Sequence, residues 1–371
     1  MVLDSDSDQH STSTIISKKN KMQSVIETIK QRLPIADVLA SYITLIPAGS
    51  QYKAKCPFHN ERTASFSVSP ERGLYYCFGC GAKGDMVTFV EQFEGVDFKG
   101  ALKILADRAG VPLTGDYVKR EATDPIYAIL EKTTIRYEAE LKQHPEVLEY
   151  LSKRGVTPET ISAFRIGYAP SEWRFVANAV TGEEIKAAED AGLIKKTEKG
   201  YYDRFRSRIM FPLCDGSGRV VGFSGRLFPD EPDAPKYLNS PETKVFQKSR
   251  ILFGFDKAKF AIKKHGFAIL VEGQMDVVMS HQAGFRNTVA TSGTAVSDTI
   301  SEDGLAQLAV LARLSPQIFL AFDGDSAGQK ALRHAATVAL SLGMNPKVVP
   351  LPTGVDPADY FLKENADAWK E

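Results

Sequence analysis

Two closely spaced pairs of metal-ligand residues constrain the fold of this chain more than any other feature of its sequence. In Cys56-Pro-Phe-His59 and in Cys77-Phe-Gly-Cys80 the spacing lets one tight turn direct both side chains of a pair at a single ion. Thiolate and imidazole ligands suit zinc, which takes four ligands in a tetrahedron. Because protein side chains fill all four positions, we expect one structural zinc ion. The alternative is three buried cysteines beside an unrelated histidine.

The residues between and after the two pairs predict a β-hairpin that carries the metal site, followed by helices. Short aromatic and β-branched runs, Phe66–Val68 and Leu74–Phe78, alternate with Pro and Gly, as strands and tight turns do. Their aromatic side chains are expected either to form a small core or to stack on the bases of single-stranded nucleic acid. Helices are predicted near Met86–Phe93 and Phe98–Ala109.

The rest of the chain changes from a helical pattern to a strand-rich one and then to an alternating one. Residues 126–165 have helical periodicity, and strands and turns are predicted to dominate residues 166–260. From residue 267 onward, strand-like apolar runs alternate with helical patterns, which indicates a mostly parallel sheet with helices on both faces. The predicted strands of this sheet are Phe267–Val271, Asn287–Ala290, Ile318–Phe322 and Lys347–Pro350.

Carboxylates follow two of these predicted strands. Glu272 comes directly after the first strand, and Asp323 and Asp325 come directly after the third. Because ligands of an open parallel sheet bind at the carboxyl ends of its strands, the three side chains converge if the two strands are neighbours. Oxygen ligands suit Mg²⁺ or Mn²⁺, and Asp356, after the last strand, is a candidate ligand for another ion. The alternative is a set of unrelated loop carboxylates.

A basic and polar stretch precedes the acidic one. Residues 202–250 carry many arginines and lysines, and the segment Lys236–Thr243 has few apolar positions. Such a stretch is predicted to hold a nucleoside triphosphate or a template backbone beside the metal ions, or else to be a solvated surface loop. The chain has 46 basic and 46 acidic residues, which excludes a uniformly basic nucleic-acid binder but not a local basic groove.

The chain has no sequence signal for a membrane or for secretion. Its longest apolar runs are far shorter than the roughly 20 residues of a membrane span, and its N-terminus lacks the apolar core of a signal peptide. Residues 1–21 are rich in Ser, Thr and Asp and are predicted to be disordered. The sequence therefore predicts a cytoplasmic protein with no membrane contact.

Over roughly residues 22–371 the sequence resembles the bacterial DnaG-type DNA primases. The zinc-ligand motifs match the family in order, and the acidic stretch resembles a Toprim domain through Val271-Glu272-Gly273 and Phe322-Asp323-Gly-Asp325. The segments between them that also match are Tyr150–Gly155, Arg208–Pro212, Gly222–Arg226, Lys236–Thr243 and Phe246–Lys248.

The resemblance implies a multidomain α/β protein. A zinc-ribbon-like domain is followed by a mixed α+β region and a Toprim-type, mostly parallel α/β sheet. The expected divisions are a disordered extension over residues 1–21, a zinc-binding domain over 22–110, a linker over 111–125, the basic template and nucleotide side of an RNA polymerase domain over 126–260, and a Toprim subdomain over 261–371.

The resemblance also implies an activity, which is template-directed synthesis of short RNA primers for DNA replication. The implied partners are single-stranded DNA and ribonucleoside triphosphates, in a bacterial or phage-like, nucleoid-associated setting. Glu272, Asp323 and Asp325 are the implied catalytic ligands of one to three Mg²⁺ or Mn²⁺ ions, with Asp356 as a further ligand. The residues implied to bind nucleotide or template are Arg154, Arg226, Lys236, Asn239 and Lys248.

The sequence departs from the family at two places, and two other classes of function compete. Ala358 stands where the family often has a second acid, and Asp359 is its candidate substitute. The family's C-terminal helical and helicase-binding parts are expected to be absent, although a replicative helicase is a partner of the family. The competing classes are a module that binds single-stranded DNA without polymerising, and another Toprim enzyme, a nuclease or a topoisomerase.

Overall fold

The computed structural model describes most of the chain as two compact units, Met1–Arg120 and Glu121–Glu371. The described residues are 25–363 apart from 60, 62, 95, 97, 113–124, 232–233, 292–301 and 352–354. The predicted disorder of residues 1–21 and most of the predicted linker over 111–125 lie outside them. Within the described residues, no helix is both long enough and apolar enough to cross a bilayer.

The first unit contains a five-stranded antiparallel sheet whose strands follow one another in chain order. The strands are β1 (Ile46–Ala48), β2 (Gln51–Ala54), β3 (Phe66–Ser69), β4 (Leu74–Cys77) and β5 (Lys83–Gly84). The helical segments of this unit are residues 25–32, Ile35–Ala40, Met86–Glu94 and Phe98–Ala109.

Strands β3 and β4 form the hairpin that the sequence predicts. Alternate residues of both strands are buried, so Phe66 and Tyr75 stack inside the unit with their ring centres 4.9 Å apart. Tyr76 and Phe78 lie on the exposed side and contact each other edge to face. The aromatic residues of this hairpin thus divide between core and surface, and Cys77 is buried at the end of β4.

The second unit begins with three helices and a four-stranded antiparallel sheet. Its strands are β6 (Gly167–Ala169), β9 (Arg208–Cys214), β10 (Val220–Leu227) and β11 (Tyr237–Asn239), in the order β11-β10-β9-β6. Strands β7 (Ile194–Thr197) and β8 (Gly200–Asp203) form a separate hairpin. The helices are Pro125–Leu141, Pro145–Lys153, Pro158–Phe164, Glu183–Asp190 and Phe255–His265.

Two of these helices lie wholly or partly within residues 166–260, where the sequence predicts that strands and turns dominate. Glu183–Asp190 buries mainly Ala187 and Ala188, and such small apolar side chains give a weak periodic signal. Phe255–His265 lies between Gly254 and Gly266, both in the left-handed region, and its charged residues dilute the apolar pattern. The prediction of strands and turns was therefore wrong for these two segments.

The second unit ends with a parallel sheet, as predicted. Strand β12 (Ala268–Val271) lies between β13 (Thr288–Ala290) and β14 (Gln317–Leu320), and β15 (Asn345–Val348) pairs with β14. Strand β12 is buried throughout its length, which is why it reads as a continuous apolar run. The helices around this sheet are Gln274–Gln282, Glu302–Leu314, Ser326–Ser341 and Pro357–Lys363.

The antiparallel and parallel sheets share one hydrophobic cluster. Ile209 and Phe211 of β9 belong to the same cluster as Val271 and Met275, which flank the carboxyl end of β12. A buried hydrogen bond from Gln274 Nε2 to Ser224 Oγ, 2.9 Å long, joins the helix after β12 to β10. The shared packing therefore fixes the acidic end of the parallel sheet against the sheet that precedes it in the chain.

Candidate metal centres

The two ligand pairs of the first unit meet at one point. The ligand atoms of Cys56, His59, Cys77 and Cys80 all lie within 4.8 Å of one another. Cys56 Sγ is 3.7 Å from Cys80 Sγ, and Cys77 Sγ is 3.7 Å from His59 Nδ1. A tetrahedral zinc ion with ordinary bond lengths separates its ligand atoms by about 3.6–3.8 Å. These two separations match that geometry, so the four side chains form a set that fits a zinc ion.

Backbone groups turn toward the sulfur atoms, as they do in metal-binding knuckles. The N–H of Phe58 donates to Cys56 Sγ over 3.4 Å, and the N–H of Cys80 donates to Cys77 Sγ over 3.5 Å. Burial raises the pKa of Cys77, but contacts from the Ser65 hydroxyl and the backbone N–H groups outweigh it and lower the pKa overall. These contacts favour the thiolate form that binds metal.

The three predicted carboxylates of the second unit lie at the same edge of the parallel sheet. Glu272 follows β12 directly, and its Oε1 accepts a hydrogen bond of 3.1 Å from the backbone N–H of Asp323, which follows β14. Asp325 caps the helix Ser326–Ser341 by accepting a hydrogen bond of 2.7 Å from the N–H of Gly328. Neighbouring parallel strands thus bring residues that are distant in sequence to one edge.

The charges of this acidic edge repel one another. Burial and the nearby carboxylates of Glu272, Asp356 and Asp325 raise the pKa of Asp323 to about 7, against the opposing effect of Lys236. Burial, followed by the charge of Asp325, also raises the pKa of Glu272. Asp323 Oδ1 is buried and has no hydrogen-bond partner within the described structure. An oxygen-only donor set with an unsatisfied carboxylate oxygen fits a divalent cation such as Mg²⁺ or Mn²⁺.

The buried side chain of Asp276 connects two helices by hydrogen bonds. It accepts hydrogen bonds from the backbone N–H of Gly273 over 3.0 Å and from that of Ala358 over 3.1 Å. Burial, with the charges of Asp356 and Asp323, raises the pKa of Asp276 to about 8. The side chain therefore holds the start of the helix Pro357–Lys363 beside the acidic edge.

Asp356 and Asp359 share a cationic partner. Arg154 Nη2 is 3.3 Å from Asp359 Oδ1 and 3.8 Å from Asp356 Oδ2, and the N–H of Asp359 donates to Asp356 Oδ1. Ala358 between them is only 3% exposed and packs into the hydrophobic cluster. The position where the family often has a second acid is therefore part of the core here, and Asp359 lies beside Asp356 instead.

The predicted basic residues differ in how accessible they are. Lys236 is exposed just before β11, and its charge acts on Asp323. Arg226 is only 6% exposed, since its guanidinium donates to the Leu227 carbonyl and to Asp230 and lies 4.8 Å from the centre of the Tyr150 ring. The exposed lysine is thus available to a ligand, whereas the guanidinium of Arg226 is engaged within the protein.

Arg208 holds neighbouring backbone segments in place, a role that the sequence did not reveal. It donates to the carbonyls of Gly225 and Pro235, over 2.9 and 3.0 Å, and so fixes the backbone just before Lys236. Arg204 does the same for the Asn239 carbonyl, with bonds of 3.0 and 2.8 Å. Arginines in a basic stretch can therefore brace the chain rather than contact a phosphate, and sequence alone does not separate these uses.

Gly328 leaves room for the acidic edge, and replacing it with Ala is expected to distort that edge. A Cβ there would lie 2.3 Å from the Asp323 carbonyl oxygen and 2.8 Å from Glu272 Oε1. We expect Gly328→Ala to weaken Mn²⁺ binding by about tenfold or more, as loss of support around metal ligands generally does. Isothermal titration of purified protein with Mn²⁺ measures the effect.

Thr337→Ala is the matched control for this variant, because Thr337 is exposed on the same helix, well beyond the acidic edge. It is expected to bind Mn²⁺ as the unchanged protein does. Equal affinities for Gly328→Ala and the unchanged protein would show that the acidic edge does not hold the ion.

Comparison with known families gives three matches that follow one another along the chain. The CHC2 zinc finger matches residues 21–121, the N-terminal domain of the DNA primase catalytic core matches 136–259, and the Toprim-like family matches 269–361. The chain is 38% identical over 360 residues to a DNA primase of Halalkalibacterium halodurans, which covers 94% of this chain and 59% of that protein.

Two solved structures are also similar. The zinc-binding and RNA polymerase domains of the Aquifex aeolicus primase match with 34% identity and a TM-score of 0.61, over 93% of this chain and 84% of that one. A DnaG primase catalytic domain bound to single-stranded DNA matches with 34% identity and a TM-score of 0.60, over 68% of this chain and 78% of that one.

A zinc-finger unit followed by a core with a Toprim-like parallel sheet defines the class of zinc-containing Toprim proteins. Within this class, the chain belongs to the family of bacterial DnaG-type DNA primases. The resemblance predicted from the sequence motifs and the predicted fold class are therefore confirmed. The chain spans 59% of the length of the Halalkalibacterium relative.

Proposed function

We propose that this chain is a DNA primase that synthesises short RNA primers on single-stranded DNA from ribonucleoside triphosphates. The observation that carries this proposal is the convergence of Glu272, Asp323 and Asp325 at one sheet edge, with a buried carboxylate oxygen of Asp323 that has no hydrogen-bond partner among the described residues. The proteins that the chain resembles are named DNA primases, and one related catalytic domain is described as bound to single-stranded DNA.

Two kinds of metal site support this activity. Cys56, His59, Cys77 and Cys80 hold one structural zinc ion that stabilises the first unit. Glu272, Asp323 and Asp325, with Asp356 nearby, hold one to three Mg²⁺ or Mn²⁺ ions. When bound, these ions neutralise the charge that develops on the phosphates and on the attacking 3′-hydroxyl group.

The basic residues bind and orient the nucleotide and template. Lys236 is exposed beside Asp323 and offers a point charge to a phosphate, while Arg208 holds its backbone in place. Arg154 keeps Asp356 and Asp359 together. Asn239 and Lys248 are the further residues proposed to bind nucleotide or template, and Arg226 contributes positive potential from inside the protein.

We assign each proposed binding function to one of the predicted domains. Residues 22–110 bind zinc and template, residues 111–125 link, residues 126–260 hold template and nucleotide, and residues 261–371 hold the catalytic ions. A role in DNA replication places the protein in the cytoplasm at the nucleoid, with a replicative helicase as the partner class that the family implies.

A primer-synthesis assay tests the proposed function. Purified protein is incubated with single-stranded DNA and labelled ribonucleotides, with Mg²⁺ or Mn²⁺ and with or without a chelator. We expect short, template-dependent RNA that disappears when the divalent ions are removed. Binding of DNA without synthesis would instead support the binding-module function, and cleavage or relaxation of DNA would support another Toprim enzyme.

A further inference from the structure

The ring of His59 presents one particular nitrogen to the sulfur atoms. Its Nδ1 lies 3.7 Å from Cys77 Sγ, whereas its Nε2 lies 3.4 Å from Glu61 Oε2. A neutral imidazole that ligates a metal through Nδ1 carries its proton on Nε2, and that proton needs an acceptor. Glu61 Oε2 is a carboxylate oxygen close to this nitrogen, at a distance slightly longer than an ordinary hydrogen bond, and is the candidate for this acceptor.

Hydrogen bonds from Cys56 and Ser65 also hold the Glu61 side chain in place. Its Oε1 accepts the backbone N–H of Cys56 over 2.6 Å and that of Ser65 over 3.0 Å, and its Oε2 accepts the Ser65 hydroxyl. The side chain is only 9% exposed. Since a carboxylate only accepts hydrogen bonds, these donors and His59 Nε2–H can all be satisfied at once.

The same contacts connect Glu61 to both ligand pairs. Ser65 Oγ, which Glu61 holds, lies 3.3 Å from Cys77 Sγ in the second pair. The bond to the backbone of Cys56 and the contact with His59 reach both members of the first pair. The Glu61 carboxylate therefore contacts three of the four candidate zinc ligands, Cys56 and His59 directly and Cys77 through Ser65.

Close packing keeps the His59 ring in this orientation. A Cβ on Gly79 would lie 2.5 Å from His59 Nε2 and 2.9 Å from Ser65 Oγ, so the turn of the second ligand pair passes directly over the ring. The ring is held between this turn and Glu61. The orientation of the ring is thus set by packing against this turn on one side and by the contact with the Glu61 carboxylate on the other.

We propose that Glu61 is the positioning residue of this zinc finger: it accepts the Nε2 proton of His59, directs Nδ1 to the metal ion and so sets the affinity for zinc. The inference rests on the zinc site proposed above and adds a residue outside the Cys/His motif to it. A purely structural alternative is that Glu61 only stabilises the turn between Cys56 and Ser65.

Substitution by glutamine separates these two roles. In Glu61→Gln the amide oxygen still accepts the N–H groups of Cys56 and Ser65, so the turn is retained. The amide nitrogen then faces His59 Nε2 and cannot accept its proton. The variant therefore favours the tautomer with the proton on Nδ1, which blocks the nitrogen that faces the metal ion.

The test is a zinc-affinity measurement on the full chain by competition with a chromophoric chelator. We expect Glu61→Gln to bind Zn²⁺ about 10- to 100-fold more weakly than the unchanged protein, as for other partners of metal-binding histidines. Glu71→Gln is the matched control, because Glu71 is exposed in the turn between β3 and β4, and it should leave the affinity unchanged.

A second measurement does not depend on whether the variant folds. In zinc-loaded unchanged protein, ¹⁵N chemical shifts of the imidazole show which nitrogen of His59 binds the metal, and we expect Nδ1 bound with Nε2 protonated. Binding through Nε2, or equal zinc affinities for Glu61→Gln and the unchanged protein, overturns the inference. Failure of the unchanged protein to bind zinc would instead overturn the zinc site itself.

Discussion

Replacing Asp323 with Asn is expected to reduce primer synthesis by about a thousandfold or more, which corresponds to the loss of several kcal/mol of charge stabilisation by a bound ion. Asn has nearly the same shape, so the packing survives, but its neutral oxygen is a poor ligand for a hard cation. Burial and the carboxylates of Glu272 and Asp356 raise the pKa of Asp323, so its charge costs free energy in the metal-free protein. We therefore expect the metal-free variant to unfold at a slightly higher temperature.

Primer synthesis, binding of single-stranded DNA and thermal unfolding are the three measurements for this variant. Glu149→Gln is the control, because Glu149 is 64% exposed and pairs with Lys153 on the surface. The control should behave as the unchanged protein does in all three. Primer synthesis that survives in Asp323→Asn at saturating Mg²⁺ would contradict a catalytic role for the acidic edge.

Replacing Cys77 with Ser is expected to abolish zinc binding and unfold the first unit. Structural zinc contributes an apparent 10–16 kcal/mol or so to the folding of zinc-finger peptides, which exceeds the stability of most small domains. Cys77 is buried at the end of β4, so its loss also removes the connection between the metal site and the sheet. The second unit should remain folded, because the hydrophobic clusters described for it are built from its own residues.

Zinc content and limited proteolysis measure this effect. Cys214→Ser provides a matched control, since Cys214 is the fourth cysteine of the chain and lies in β9, outside the zinc-ligand group. We expect the control to retain zinc and to resist protease cleavage within residues 25–112. If Cys77→Ser keeps a full equivalent of zinc and the same protease resistance, zinc is not what holds the first unit together.

The acidic edge was predictable because it follows from rules that act locally. Strand β12 and the residues around β14 read as apolar runs, and the side chains that follow parallel strands meet at one edge. The hydrogen bond from the N–H of Ala358 to Asp276 was not predictable, because it joins helices that are far apart in the sequence. Its formation depends on how those helices pack, which no local pattern records.

The basic residues show a second limit of sequence reasoning. Arg226 and Lys236 lie in the same polar stretch, yet one guanidinium is enclosed between Tyr150 and Asp230 while the ammonium is exposed. Whether a side chain is buried depends on which elements pack over its strand, and every residue of β10 is buried. Glu61 is a similar case, because a single acid beside a Cys/His motif has no spacing that distinguishes a ligand's partner from a surface charge.

The hydrophobic cluster shared by the antiparallel and parallel sheets has a consequence for recombination between relatives. A crossover near residue 120 exchanges one compact unit for another and leaves intact the hydrophobic clusters that the structure describes in the second unit. A crossover near residue 260 instead joins β9 and β10 of one parent to the helix Gln274–Gln282 of the other, across packed side chains and the bond from Gln274 to Ser224. Chimaeras of the first kind should be recovered as stable proteins far more often than those of the second kind, and the second unit should be inherited as a single block.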